Sequence, residues 1–204
     1  MSVISIELPQ PPMGLKEWST VVGAAQTGDL RILVRKGGIH EPGFALKATV
    51  GLLFPTGFHQ AHSPREPSET VTGAASREAG VTIEAGVRVA EIWRVVDPHA
   101  IESLAPWTGL PSAELRLRAQ LRPTQAMWLM RVIPFELEKA VHLPWSRHYG
   151  GCRSWVQLPE DPRWRIRCVH QSPDERLEET LAGLVRAGVI QVSELSHEHG
   201  AHRS

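Results

Sequence analysis

At 204 residues and 42% hydrophobic, the chain is long enough to bury the core of one domain. Its 22 Lys and Arg balance 22 Asp and Glu, so no global field draws the molecule to nucleic acid or to an anionic membrane. Any such surface has to be local. Two cysteines exclude a disulfide framework, and no stretch approaches the roughly 20 apolar residues of a spanning helix.

The opening "MSVISIELPQPPMG" has no basic region followed by an apolar core, so it does not read as a secretory leader. A soluble cytoplasmic protein without a membrane partner is expected. "LKEWSTVVGAAQTGD" carries Leu15, Trp18, Val21 and Val22 at helical spacing, with Gly28 as its C-terminal stop. "LRILVRKGG" and "FALKATVGLLFP" read as two strands, joined by the loop "GGIHEPG" and expected to be neighbours. Residues 60–80 read as a surface loop with a short helix near 68–78, and "GVTIEAGVRVAEIWRVVD" as one or two strands.

Asp97-Pro98 opens a short helix, with Asp97 as N-cap and Pro98 at the first helical position. "SAELRLRAQL" is a second short helix stopped by Pro123. "AMWLMRVIPF", "GCRSWVQL" and "RWRIRCV" read as strands. "SPDE" is a capping box with Ser172 as N-cap, followed by the apolar stripe Leu177, Leu181, Leu184 and Val185 and by Gly188. "VIQV" adds an edge strand.

This order predicts a mixed α/β (α+β) domain: a single sheet with an N-terminal helix, short inserted helices and a C-terminal amphipathic helix. The expected domain covers residues 1–192, and 193–204 reads as a disordered tail.

The segments "LKEW", "RKGGIHEPGF", "LLFPTGFHQ", "RLRAQLRP" and "YGGCRSWVQL", in this order, resemble a bacterial family, domain of unknown function 1802. The resemblance covers roughly residues 14–160. It implies a single domain and carries no activity over.

The residues themselves suggest five chemistries. A metal-dependent nuclease needs carboxylates for Mg²⁺ and a lysine two positions after an acid. No Glu-x-Lys or Asp-x-Lys occurs, which leaves only a migrated set: Glu17 or Glu41 with Lys36, and His59 as a further catalytic candidate. A His40/Glu41/His59 cluster is a second divalent-metal reading, against the simpler role of histidines that cap strand ends. Arg35, Lys36 and the Gly37-Gly38 backbone form a candidate anion nest with Gln60 nearby, although the Walker spacing is missing. Finally, alternation places Arg163, Arg165 and Arg167 on one strand face near Arg153, a cationic stripe suited to a phosphate backbone. The bland alternative is an amphipathic strand with its apolar face on the core. Cys152, four residues after His148, is a weaker candidate for a Cys–His nucleophile.

The leading reading is therefore a nucleic-acid binding or processing protein acting through a local Arg/Lys/His surface. The alternatives are a non-catalytic small-ligand or protein-binding module with a tryptophan-lined pocket, and a His/Glu metal-dependent hydrolase. Composition and spacing do not decide whether the chain is an enzyme.

Overall fold

The computed structural model describes residues 6–36, 41, 43–56, 80–170 and 172–193. Its elements are β1 (Met13–Trp18), α1 (Ser19–Gln26), β2 (Ile32–Arg35), β3 (Val50–Thr56) and β4 (Val81–Val95). A 3-10 helix (Pro98–Trp107), α2 (Ser112–Gln120) and β5 (Met127–Leu143) follow. A 3-10 turn (Arg147–Tyr149), β6 (Trp155–Gln157), β7 (Ile166–Val169), α3 (Glu175–Arg186) and β8 (Ile190–Ser193) complete the described elements. The strands form one sheet in the order β2-β5-β4-β3-β1-β6, with β7 added on β5 and β8 on β4. β1 runs parallel to β3, and the other pairings are antiparallel. This is the mixed α+β class that the element order predicts.

Both faces of the sheet are buried, which is why "LLF" in β3 is apolar without interruption. Leu53 joins the core beneath the helices, while Val50, Leu52 and Phe54 join a second core with Phe135, Leu137 and Tyr149. Alternation of side chains along the strand produces this split. Gly86 belongs to the second core by its lack of a side chain, since a Cβ there would meet the Phe135 ring at 2.2 Å.

Several elements differ from the sequence reading. "LKEW" is not the start of the first helix: it lies in β1, hydrogen-bonded between β3 and β6, and the helix begins only at Ser19. Leu15 and Trp18 fit helical spacing by coincidence, because strand pairing satisfies their backbone instead. β2 and β3 are not sheet neighbours, since β5 and β4 lie between them. β3 starts at Val50, and the stretch from Phe44 to Ala48 is irregular although both residues are buried.

Asp97 caps the 3-10 helix as expected, accepting from the His99 amide at 3.0 Å. The cap of α3 is Asp174 rather than Ser172. Its carboxylate accepts from the Leu177 amide at 3.0 Å and from the Trp107 indole at 2.6 Å, whereas Ser172 Oγ accepts from Arg31 at 3.0 Å. Leu177 and Leu181 dock α3 on the core, Leu184 packs at its margin and Val185 stays exposed. β8 forms the expected edge strand on β4.

The sheet curls until its ends approach. Arg35 at the end of β2 donates to the Lys16 carbonyl of β1 at 2.9 Å, although the two strands lie far apart in sheet order. No helix among the described residues is long and apolar enough to cross a membrane.

Candidate functional site

β1, β2 and β3 run out at the same place. Trp18 pairs with Thr56 at the end of the parallel β1–β3 ladder. The Glu17 carboxylate, 1% exposed, accepts from Arg35 Nη1 at 2.6 Å, and Thr56 Oγ1 donates to the Glu17 carbonyl at 3.1 Å. The strands leading into "RKGGIH" and "FPTGFHQ" therefore meet at Glu17, joined by the curl of the sheet rather than by pairing.

α2 closes this end. Arg118 donates to the Val34 carbonyl at 3.1 Å and pairs with Glu114 one turn earlier at 3.5 Å. Its guanidinium lies 4.7 Å from the centre of the Trp18 ring, and that of Arg35 lies 5.6 Å from Phe44. Burial pulls the Arg118 pKa below the usual arginine value, with Glu17 opposing the shift and Arg35 reinforcing it. An arginine nevertheless stays protonated, so the group persists as a buried cation. Buried acids and partly buried guanidinium groups thus alternate, each charge compensated by a neighbour.

Two lysines at this end serve backbone carbonyls. Lys36 Nζ donates to the carbonyls of Ala119 at 2.9 Å and Leu121 at 2.7 Å, where the C-terminus of α2 leaves oxygens without helical partners. Burial lowers its pKa and Arg122 adds to the effect. Lys16 Nζ donates to Tyr149 O at 2.5 Å, Gly151 O at 2.8 Å and Gly150 O at 3.3 Å. Its pKa is also lowered by burial, which Cys152 opposes and Arg153 reinforces. Glu41 accepts from the Ser154 amide at 3.0 Å and from Ser154 Oγ at 2.6 Å. Arg153 and Arg122 are exposed at the rim.

Each residue singled out from the sequence has a defined place or lies outside the described residues. Gly37, Gly38, His40, His59 and Gln60 lie outside, and so do the 60–79 loop and the tail from 194. Glu17 sits on β1 rather than on the first helix, and Arg35, not Lys36, holds its carboxylate. Of the arginine stripe, only Arg167 belongs to β7, and Arg163 sits in the preceding turn. Arg163 forks onto Asp161, Arg165 Nε donates to Pro162 O at 3.3 Å, and Arg167 pairs with Glu136. Burial raises the Glu136 pKa, but hydrogen bonds from His170 and Arg167 outweigh it and hold the carboxyl below its usual range. Trp164 and Ile166 pack against the second core as alternation requires, while Cys168 is exposed. His148 has both ring nitrogens engaged, with Ser146 Oγ at 2.9 Å and Gln157 O at 3.0 Å, so it is not poised as a base for Cys152.

The two cation groups do not adjoin. Arg35 pairs opposite Trp128, at the start of β5, and Cys168 opposite Glu136, near its middle. Eight strand residues separate those positions, roughly 25 Å at the usual rise per residue.

Sequence reading missed Lys16, Glu114 and Arg118. The spacing of Glu114 and Arg118 on a helix was the available signal. It also missed an open cleft of about 580 Å³ bounded by Asp29, Arg31, Trp107, Leu110, Pro111 and Asp174.

Residues 14–180 match the family described as Domain of unknown function (DUF1802), and the chain belongs to it. The chain is similar to the crystal structure of ASCH from Zymomonas mobilis, at 12% identity and a TM-score of 0.45, covering 91% of this chain and 99% of that one. It is also similar to the structure of a mutant of the same protein, at 12% identity and a TM-score of 0.45, covering 90% and 97%. No curated protein matches it.

Proposed function

We propose that this chain binds nucleic acid at the end of the sheet where β1 and β2 run out. The supporting observation is a local charge excess in a chain of zero net charge. Lys16, Arg35, Lys36, Arg118, Arg122 and Arg153 gather about Glu17, Glu41 and Glu114. The inner cations are fixed by carboxylates and carbonyls, so they hold the frame. The exposed Arg153 offers a guanidinium fork to phosphate oxygens, and Arg122 adds positive charge at the same rim. Binding is favoured over processing because the Glu17 carboxylate is 1% exposed and already ion-paired, whereas a metal-holding carboxylate needs open lone pairs.

The test is binding of labelled single- and double-stranded DNA and RNA at low and moderate salt, with and without Mg²⁺ or Mn²⁺. Arg153→Ala and Arg122→Gln each lower affinity and reduce the salt slope by about one. No binding at low salt, or affinity unchanged in both variants, overturns the proposal. Metal-dependent cleavage would restore the processing reading.

A second reading, a non-catalytic small-ligand module, is favoured by the cleft beside Trp107, although Asp29, Arg31 and Asp174 make it more charged than an apolar pocket. Protection of Trp107 fluorescence by a small ligand, in a chain that ignores nucleic acid, would favour that module.

A further inference from the structure

Away from the cationic end, Glu136, Cys168 and His170 converge on one face of the β5–β7 ladder. Glu136 and Cys168 are directly opposed in the antiparallel pairing, and His170 lies two residues beyond Cys168. Strand alternation puts all three side chains on the same side. One donor atom from each lies within 4.8 Å of the other two. We propose that these three side chains bind a divalent transition-metal ion of the zinc class.

The donors are fixed rather than merely adjacent. His170 Nε2 is 2.8 Å from Glu136 Oε1. Its ring is seated by Gly28 (φ +78), where an added Cβ would meet His170 Nδ1 at 2.8 Å. That packing occupies the Nδ1 side of the ring and leaves Nε2 turned to the cluster. The His170 amide donates to Pro134 O at 2.9 Å and so ties the backbone to β5. The second Glu136 oxygen is paired with Arg167, which orients the carboxylate from outside and leaves Oε1 as a single donor.

The donor chemistry selects the ion. A thiolate with an imidazole favours zinc or cobalt over magnesium or calcium, which take oxygen ligands. Three protein donors leave a fourth tetrahedral position, open to solvent because Cys168 is exposed. The sulfur ligand is the thiolate, so metal binding displaces the thiol proton. Without the metal, Arg167 and His170 both bond to the Glu136 carboxylate and the thiol is a bystander. Dependence on Cys168 therefore separates the two states.

The experiment titrates the full-length chain with Co²⁺ and reads the thiolate-to-cobalt charge-transfer absorption and the visible bands of a four-coordinate site. Zn²⁺ is then added to displace the cobalt. The expected result is saturable thiolate-linked binding in the wild type and in Cys152→Ser, with the charge-transfer band lost in Cys168→Ser. His170→Ala weakens binding by about tenfold or more. Should His170→Ala fail to fold, Cys168→Ser decides alone, since its exposed thiol is not needed for packing. A band that survives Cys168→Ser or follows Cys152 overturns the proposal. So does cobalt bound without any thiolate band, as the histidines near the C-terminus would bind it.

Discussion

Beside the start of β5 and beside its middle lie arginines that look alike in sequence and are used differently. At the Trp128 end, Arg35 and Arg118 lie among Trp18, Phe44 and buried carboxylates. Near Glu136, where β7 pairs with β5, Arg163 and Arg167 are exposed and fold back onto acids of their own neighbourhood. Both stretches show arginine interleaved with aromatics. What separates them is whether an acid was buried alongside, because an uncompensated charge in a dry site costs several kcal/mol and a solvated one almost nothing.

The comparison breaks most readily at Glu17. Glu17→Gln leaves the partly buried Arg35 without its carboxylate and removes a compensating charge near Arg118, and a loss of about 3 kcal/mol is expected in urea unfolding. Arg163→Ala, under the same conditions, should change stability by less than about 0.5 kcal/mol. A cost below about 1 kcal/mol at Glu17 would mean that water reaches the network and that both regions are surface. Lys16→Met is the next largest effect. It strips the charged donor from the carbonyls of Tyr149, Gly150 and Gly151 and should cost about 1–3 kcal/mol. It should also loosen the loop that carries Arg153, seen as faster amide exchange from Gly150 to Ser154.

Which region is which was only partly written in the sequence. Local signals carried the Asp97 cap, the α2 and α3 spans, the long alternation of β4 and the edge strand β8, all of which depend on neighbours within a few residues. The errors came where distant groups decide. "LKEW" has helical spacing, but β3 and β6 claim its backbone. "SPDE" holds two possible caps, and Trp107, 67 residues away in sequence, selects Asp174. Glu17 and Arg35 were recognisable as chemistry-bearing residues at strand ends, and the structure brings them together. Their partners on α2 were not recognisable, because a helix inserted between β4 and β5 folds back over β1 only in three dimensions. The Glu136, Cys168 and His170 cluster was hidden for the same reason, since Cys168 lies on β7 and His170 just beyond it, but their third partner comes from β5.

At the β7 end the expected effects are small. Arg167→Ala removes an exposed pair with Glu136 and should alter stability by no more than about 1 kcal/mol. An effect near that of Glu17→Gln would erase the distinction between the two regions.

The finest test is titration of Asp161. The Arg163 side chain, and then the Arg163 amide, hold its carboxyl at about 2 against an ordinary 3.8. The folded pKa lies below the unfolded one, so the stabilisation is present above 3.8 and is lost as pH falls through about 2. In Arg163→Ala the guanidinium fork disappears, but the amide still donates to Oδ1 at 2.9 Å. Carbon-detected NMR should therefore show the Asp161 pKa rising part of the way toward 3.8, not all of it. A full return would mean that the turn itself collapses without the arginine. No change would mean that the backbone alone sets the value and that Arg163 spends its time away from Asp161. In that case its fork is available to a phosphate, and the turn before β7 would offer a second cationic surface beside the one proposed to bind nucleic acid. The Arg163 side chain thus decides whether this protein has one cationic surface or two.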